Sequence, residues 1–193
     1  MQLHKSIANS PSRIVLVGFM GAGKSTIGPL LAQRLGWRFV DSDHCLEEKT
    51  GARIADLFSA LGEPEFRRRE SQAIAELHKD NELVLALGGG AMESESTRRM
   101  IAESPDTCVV FLKAPLEILI ERCERQPHAA IRPILNRRDV LEQRFQSRQR
   151  QYESAHITVN TNGESPATVV DSILNKLQQG FFSLPVPAKV ETI

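Results

Sequence analysis

The chain has 193 residues, of which 41% are hydrophobic and 25% charged, and no apolar run reaches the roughly 18 residues of a membrane span. Its 24 basic residues balance 24 acidic ones, so net charge favours neither a nucleic-acid nor a membrane partner. The three cysteines form no CxxC pair, which argues against a disulfide framework or a structural zinc site and fits a reducing cytoplasm. We expect the protein to be a monomer.

From residue 13 onward, short β-rich apolar runs alternate with longer helical patterns. The candidate strands are residues 14–17, 38–40, 83–87, 107–112 and 157–159. In most of the segments between them, apolar residues recur at helical spacing. This alternation predicts an α/β fold with a five-stranded parallel sheet and helices on both of its faces.

Three segments do not follow this alternation. Residues 1–12 lack periodicity and are predicted to form a flexible N-terminal arm before a domain over residues 13–179. Within that domain, residues 126–136 carry two prolines and little amphipathic pattern, and loops of this length usually serve a function. Residues 180–193 are apolar and contain prolines, so we interpret them as a C-terminal extension.

A phosphate-binding pattern directly follows the first predicted strand and opens the first predicted helix. Gly18-x-x-x-x-Gly23-Lys24-Ser25 satisfies the strict pattern in full. In that pattern backbone N–H groups surround the phosphates, the lysine neutralises the β- and γ-phosphates, and the serine hydroxyl can reach Mg²⁺. A glycine-rich turn without a ligand is disfavoured, because the flanking strand and helix both agree with the pattern. The predicted nucleotide contacts are Gly21, Ala22, Gly23, Lys24, Ser25 and Thr26.

The phosphate loop alone does not separate kinases from GTPases and other ATPases. GTPases read guanine with an Asn-Lys-x-Asp element after a strand, whereas Asn175-Lys176 lies inside a predicted helix and continues with Leu177. Guanine specificity is therefore disfavoured. The small size and the long arginine-rich loop favour a P-loop NTPase fold of the nucleoside-monophosphate-kinase type, with ATP as phosphoryl donor and a small acceptor.

Two carboxylates, Asp41 and Asp43, follow the second predicted strand. Ligands of open α/β sheets bind at the carboxyl ends of the strands. One carboxylate can hold Mg²⁺ through water while the other accepts the proton of the acceptor hydroxyl. The alternative is a helix N-cap aspartate with a solvated neighbour.

Two arginines could bind an anionic acceptor. Arg67 is the first of three consecutive arginines and could face the site, or it could only pair with Glu63 or Glu70 on the helix surface. Arg148 and Tyr152 are four residues apart and share a helix face, so the guanidinium could meet a carboxylate. An ordinary solvated face is the alternative for this second helix.

The third predicted strand ends in Gly88, Gly89 and Gly90. Three residues without side chains permit a substrate to approach the backbone closely. A plain flexible turn explains this run nearly as well.

In their order and spacing, these motifs resemble the shikimate kinase family over residues 13–178. The matching elements are the phosphate loop 18–26, Asp41-Ser42-Asp43, residues 54–58 and 62–63, Phe66-Arg67-Arg68-Arg69-Glu70, Gly88-Gly89-Gly90, Arg132-Pro133, and Arg148 with Tyr152. The resemblance implies that the γ-phosphoryl group of ATP is transferred to the 3-hydroxyl of shikimate in the presence of Mg²⁺.

The resemblance also implies roles for individual residues. Asp43 would bind the shikimate hydroxyls and act as the catalytic base, and Lys24 and Arg132 would be further catalytic residues at the phosphates. Arg67 and Arg148 would bind the substrate carboxylate. The implied pocket lining is Gly88, Gly89 and Gly90.

On the nucleotide side, the resemblance implies that Ser25 and Asp41 serve Mg²⁺. Arg125 would pack against adenine. Arg132 would close over the phosphates as part of a lid over about residues 125–138.

Two other functions remain open from the sequence. A gluconate kinase shares the phosphate loop, the size and a carboxylated polyol substrate. A catalytically silent relative that binds nucleotide and regulates a partner is the second alternative.

Overall fold

The computed structural model of the chain describes residues 11–125 and 137–180. Its strands are β1 (Arg13–Val17), β2 (Arg38–Asp41), β3 (Leu83–Ala86), β4 (Thr107–Lys113) and β5 (Ile157–Asn160). They form one sheet in the order β2-β3-β1-β4-β5, and every neighbouring pair is parallel. The predicted α/β class and the five predicted strands are therefore confirmed.

Seven α-helices and a short 3-10 helix lie between and after the strands in the described part of the chain. The α-helices are α1 (Lys24–Leu35), α2 (Ser42–Thr50), α3 (Ile54–Leu77), α4 (Glu95–Ala102), α5 (Leu116–Glu124), α6 (Arg138–Tyr152) and α7 (Pro166–Gly180). The sequence predicts two helices over residues 54–60 and 63–79, whereas the structure joins them in α3 with a kink at Gly62 (φ 72°, ψ 164°). The 3-10 helix, Ala91–Glu93, has no counterpart among the predicted elements.

Helices cover both faces of the sheet. Every residue of β1 and β3 is buried, and so is every residue of β4 except Lys113. Because successive residues of a strand point to opposite faces, burial of both sets requires a packed layer on each side. The strand β5 lies at an edge of the sheet and alternates between buried and exposed residues. This pattern confirms the predicted layers.

The parallel arrangement brings three predicted site segments together at the carboxyl ends of the strands. The phosphate loop follows β1, Asp41-Ser42-Asp43 lies at the junction of β2 and α2, and the triple glycine follows β3 closely. Since β1 and β2 both pair with β3, the segments after these strands are neighbours.

The predicted arm, lid and extension fall largely outside the described residues. Residues 1–10, 126–136 and 181–193 are not described, and Arg132 is among them. Ser12, at the end of the predicted arm, exchanges backbone hydrogen bonds with Asp106 and Glu82. None of the helices in the described ranges is long and apolar enough to cross a membrane.

Candidate active site

The phosphate loop is held in a conformation that requires glycine. Gly21 has φ 77°, and a Cβ atom there would lie 2.4 Å from the carbonyl oxygen of Leu119 in α5. Gly23 has φ 94° and is the N-cap of α1, so the loop leads directly into the positive end of this helix. The loop therefore has the strand-to-helix geometry of an anion-binding site.

Lys24 lies along this loop. Its Nζ atom donates to the carbonyl oxygens of Gly18 (2.6 Å) and Phe19 (3.3 Å). Burial lowers the pKa of Lys24, and the carboxylates of Asp43 and Asp41 oppose this shift. The lysine therefore faces the acidic pair of β2 and α2 as well as the loop.

Ser25 and Asp41, the predicted Mg²⁺ residues, are in direct contact. Ser25 Oγ donates to Asp41 Oδ2 at 3.0 Å. The other oxygen of this carboxylate, Oδ1, accepts from the backbone N–H of Asp43 at 3.1 Å and caps α2. Asp41 is thus an N-cap, as one alternative predicts, and it still presents an oxygen beside the phosphate loop.

Asp43 lies in a position that disfavours its charge. Burial raises the pKa of Asp43 to about 6, and the carboxylates of Asp41 and Glu70 add to the shift while Lys24 opposes it. A general base works best when its pKa is near the operating pH. A hydroxyl bound beside Asp43 could therefore transfer its proton to this carboxylate.

Arg67 and Arg148 meet at one carboxylate. Arg67 Nη2 and Arg148 Nη2 both donate to Glu93 Oε2, at 2.9 and 3.0 Å. Arg67 Nη1 donates to Glu70 Oε2 at 2.8 Å, and Glu63 approaches Arg67 only at 3.4 Å. The side chains of Arg67 and Arg148 are 16% and 9% exposed, so neither lies on a solvated surface. We call these two residues the arginine clamp.

Each residue of the triple glycine lies against a different part of the site. A Cβ atom would lie 2.2 Å from Asp43 Oδ1 at Gly88, and 2.3 Å from Arg67 Nη2 at Gly90. At Gly89 it would lie 3.5 Å from Arg148 Nη1, which is an ordinary contact. The run therefore allows close packing of Asp43 and the arginine clamp, which a plain flexible turn does not require.

The backbone of this run is also fixed by neighbouring side chains. Tyr152 Oη donates to the carbonyl oxygen of Gly89. The backbone N–H of Gly88 donates to the buried Ser42 Oγ at 2.9 Å. Since Tyr152 belongs to α6 and Ser42 to α2, the two helices hold the run from two directions.

Two residues of this region are absent from the sequence-based prediction. Glu93 contacts the arginine clamp from the 3-10 helix. Because the sequence did not predict this helix, it gave no reason to place Glu93 near the two arginines. Arg122 of α5 donates to Thr161 Oγ1 at 3.0 Å and to its carbonyl oxygen at 2.5 Å, and it approaches the carbonyl of Gly21 at 3.4 Å. It thereby ties the phosphate loop to the segment after β5. The arginine excess of this region is visible in the sequence, but no spacing distinguishes Arg122.

Arg125 is not brought to the phosphate loop by any contact of the described residues. It follows α5, its side chain is 76% exposed, and it pairs with Glu121 at 2.5 Å. Its predicted adenine contact stays a prediction.

The phosphate loop follows the central strand of a parallel sheet, and a carboxylate that could act as a base lies beside it. These features define a P-loop phosphotransferase. The family model described as shikimate kinase matches residues 20–178. The chain belongs to the shikimate kinase family, which confirms the resemblance of its motifs.

Individual relatives agree with this assignment. The chain is 40% identical over 168 residues to the shikimate kinase of Persephonella marina, covering 86% of this chain and 98% of that protein. It is 42% identical over 168 residues to that of Thermus thermophilus, covering 85% and 89%. The solved structure of shikimate kinase from Acinetobacter baumannii in complex with shikimate has a TM-score of 0.80 at 36% identity, covering 90% and 97%.

A gluconokinase from Sinorhizobium meliloti also shares the fold. Its TM-score is 0.63 at 22% identity, covering 88% of this chain and 93% of that one. Identity at this level speaks for the fold alone.

Proposed function

We propose that this chain transfers the γ-phosphoryl group of ATP to the 3-hydroxyl of shikimate and so produces shikimate 3-phosphate. The observation that carries the proposal is the arginine clamp beside Asp43 and the triple glycine. Membership of the shikimate kinase family supports it. The relative from Acinetobacter baumannii, described in complex with shikimate, supports the choice of acceptor.

The acceptor would be held at both of its ends. Arg148 is buried and the Arg67 side chain is 16% exposed, and both present Nη donors to one carboxylate oxygen, so the clamp suits the carboxylate of an acceptor. The opposite end of the ring would place a hydroxyl at Asp43. Asp43 would then remove the hydroxyl proton as the oxygen attacks the γ-phosphorus.

The nucleotide would be bound by the phosphate loop. Backbone N–H groups of residues 21–26 and Lys24 would contact the phosphates, because the loop opens a helix and Lys24 already lies along it. Ser25 Oγ and Asp41 Oδ2 are adjacent oxygens of the kind that Mg²⁺ prefers. When bound, Mg²⁺ neutralises charge on the phosphates. The described residues contain no group of three or more His, Cys, Asp or Glu arranged for a metal, so phosphate and water oxygens would supply the other ligands.

We further propose two arginine contacts with the nucleotide and the bounds of the kinase domain. Arg125 would contact adenine, and Arg132 would reach the phosphates from a lid over residues 125–138. The kinase domain would span residues 13–179, between an N-terminal arm and the extension 180–193. We expect a monomer in the cytoplasm without nucleic-acid or membrane partners.

Substrate choice tests the proposal directly. In a coupled ADP-release assay with shikimate, quinate and gluconate offered separately, we expect efficient turnover of shikimate alone. Arg67→Ala should raise the KM for shikimate by about 10²-fold, because it removes half of a charge-assisted clamp and takes from the buried Glu70 its arginine partner, while Glu93 keeps its bond to Arg148. A preference for gluconate, or unchanged shikimate kinetics in Arg67→Ala, would contradict the assignment.

The pKa of Asp43 predicts the pH dependence of turnover. Since burial raises the pKa of Asp43 to about 6, the carboxylate is protonated below that pH and cannot accept a proton. The value of kcat/KM for shikimate should therefore rise with pH through about 6, by about tenfold per unit on the acidic side. The residual activity of Asp43→Asn should lack this inflection. An inflection that survives in Asp43→Asn would assign it to another group.

A further inference from the structure

One glutamate oxygen occupies the arginine clamp in this structure. Glu93 Oε2 accepts from Arg67 Nη2 at 2.9 Å and from Arg148 Nη2 at 3.0 Å. A substrate carboxylate would need donors of the same two guanidinium groups. Glu93 therefore takes a position that is chemically equivalent to that of an oxygen of the acceptor's carboxylate.

The charges of the clamp are already balanced without a substrate. Each arginine already has a carboxylate within 3.0 Å, because Glu70 Oε2 accepts from Arg67 Nη1 at 2.8 Å and Glu93 bridges both cations. Glu70 is buried, with a side chain 4% exposed, and its Oε2 accepts from Arg67 Nη1. Glu93 is the more accessible of the two, at 29% exposed, and it lies on a 3-10 helix of three residues. Of the two carboxylates, it is the one that can turn towards solvent.

We propose that Glu93 is an internal carboxylate that competes with the carboxylate of the acceptor for the arginine clamp and thereby weakens acceptor binding. The proposal rests on the proposed function, since it requires that Arg67 and Arg148 bind the acceptor. Whether Glu93 turns away or stays and repels the incoming anion, its charge raises the Kd of an anionic acceptor. In the free protein the same residue accepts from both guanidinium groups and so pairs with the buried cation of Arg148.

The sign of this effect separates competition from simple support of the clamp. A residue that only positions the arginines would weaken acceptor binding when it is changed. A competitor strengthens binding when its charge is removed, and only for acceptors that carry a negative charge. Glu93→Gln removes the charge and keeps the size, so it tests the sign without opening a cavity.

The experiment measures binding by calorimetry on the full chain, with shikimate and with its uncharged methyl ester. We expect Glu93→Gln to lower the Kd for shikimate by about three- to tenfold, as for removal of one partly exposed charge contact. The Kd for the methyl ester should change by less than about twofold, and the KM for shikimate should fall without a rise in kcat. Glu63→Gln is the matched control, because Glu63 approaches the same Arg67 nitrogen at 3.4 Å from a side chain 58% exposed. It should leave both Kd values within about twofold of the wild type.

The outcomes separate this inference from the proposed function. An unchanged or higher Kd for shikimate in Glu93→Gln would overturn the competition, and so would an equal gain for the methyl ester. Arg67→Ala supplies the second arm. If it weakens shikimate binding while Glu93→Gln does not strengthen it, the arginine clamp is supported as the acceptor site and competition by Glu93 is rejected. If Arg67→Ala leaves shikimate binding unchanged, the role of the arginine clamp in acceptor binding is rejected.

Discussion

Asp43→Asn should lose nearly all turnover and yet stabilise the protein. An asparagine amide has almost the same shape as the carboxylate but cannot accept the hydroxyl proton, so kcat should fall by about 10²- to 10⁴-fold. ATP binding should persist, because Lys24 is held along the phosphate loop by the carbonyl oxygens of Gly18 and Phe19. Loss of turnover with retained nucleotide binding is the expected signature of a base.

The stabilisation follows from the pKa of the same carboxyl. Burial raises the pKa of Asp43 from 3.8 to about 6, so the folded state binds this proton more tightly than the unfolded chain does. The resulting stability is fully present below the unfolded value and is lost as pH rises through the folded one. At neutral pH the ionised form therefore costs about 1 to 3 kcal/mol, which Asp43→Asn should recover.

Urea denaturation at pH 7 and pH 5 measures this effect, together with kcat and the Kd of ATP. The gain in unfolding free energy of Asp43→Asn should shrink at pH 5, where the wild-type carboxyl is largely protonated in the folded state. Asp56→Asn is a suitable control, since Asp56 is exposed in the first turn of α3 and should show no gain. Equal loss of turnover and ATP binding would remove Asp43 from the role of base.

The order of elements could be predicted because each central strand is a continuous apolar run. Strands buried on both faces need such runs, and β1, β3 and β4 carry them. The geometry of the kink within α3 does not follow from the sequence, because a glycine between two helical patterns predicts an interruption and not its geometry. Gly62 keeps the two halves joined at φ 72°. Local patterns therefore determine where elements lie, while packing determines how they connect.

The sequence also does not determine which of the three consecutive arginines, Arg67, Arg68 and Arg69, faces the site. Any of them could face the site on composition alone, but Arg68 and Arg69 both pair with the partly exposed Glu65. Only Arg67 turns inward to Glu70 and Glu93. Helical spacing relates these neighbours to one another, but it does not say which direction the core occupies.

Glu93 illustrates what the sequence could not show. Its partner Arg148 is 55 residues away in the chain and belongs to α6, whereas Glu93 belongs to the 3-10 helix after the triple glycine. The contact exists because both elements pack at the same edge of the sheet. The phosphate loop could be predicted from the sequence, since its glycines, lysine and serine lie in one short segment and the spacing of that segment determines its conformation.

A single methyl group at Gly88 should slow catalysis without unfolding the protein. In Gly88→Ala the new Cβ atom would lie 2.2 Å from Asp43 Oδ1 and 3.0 Å from Glu70 Oε1, so the Asp43 carboxylate must move. These atoms are ends of side chains, and Gly88 has no positive φ, so the backbone can keep its path. A displacement of about 1 Å at a reacting group can cost about 10²-fold in rate, and we expect kcat to fall by about 10- to 100-fold.

The neighbouring glycine supplies the control for this prediction. In Gly89→Ala the Cβ atom would lie 3.5 Å from Arg148 Nη1, an ordinary van der Waals distance. Both variants add the same methyl group to adjacent residues, so a general effect on the turn would lower their kcat values and melting temperatures alike. Because Gly89 is also predicted to line the acceptor pocket, Gly89→Ala should act on the KM for shikimate. Displacement of Asp43 would lower kcat in Gly88→Ala alone, with thermal unfolding close to that of the wild type in both. A kcat of Gly88→Ala close to that of the wild type would show that the carboxylate tolerates the displacement, and the close approach at Gly88 would then lose its role in placing the base.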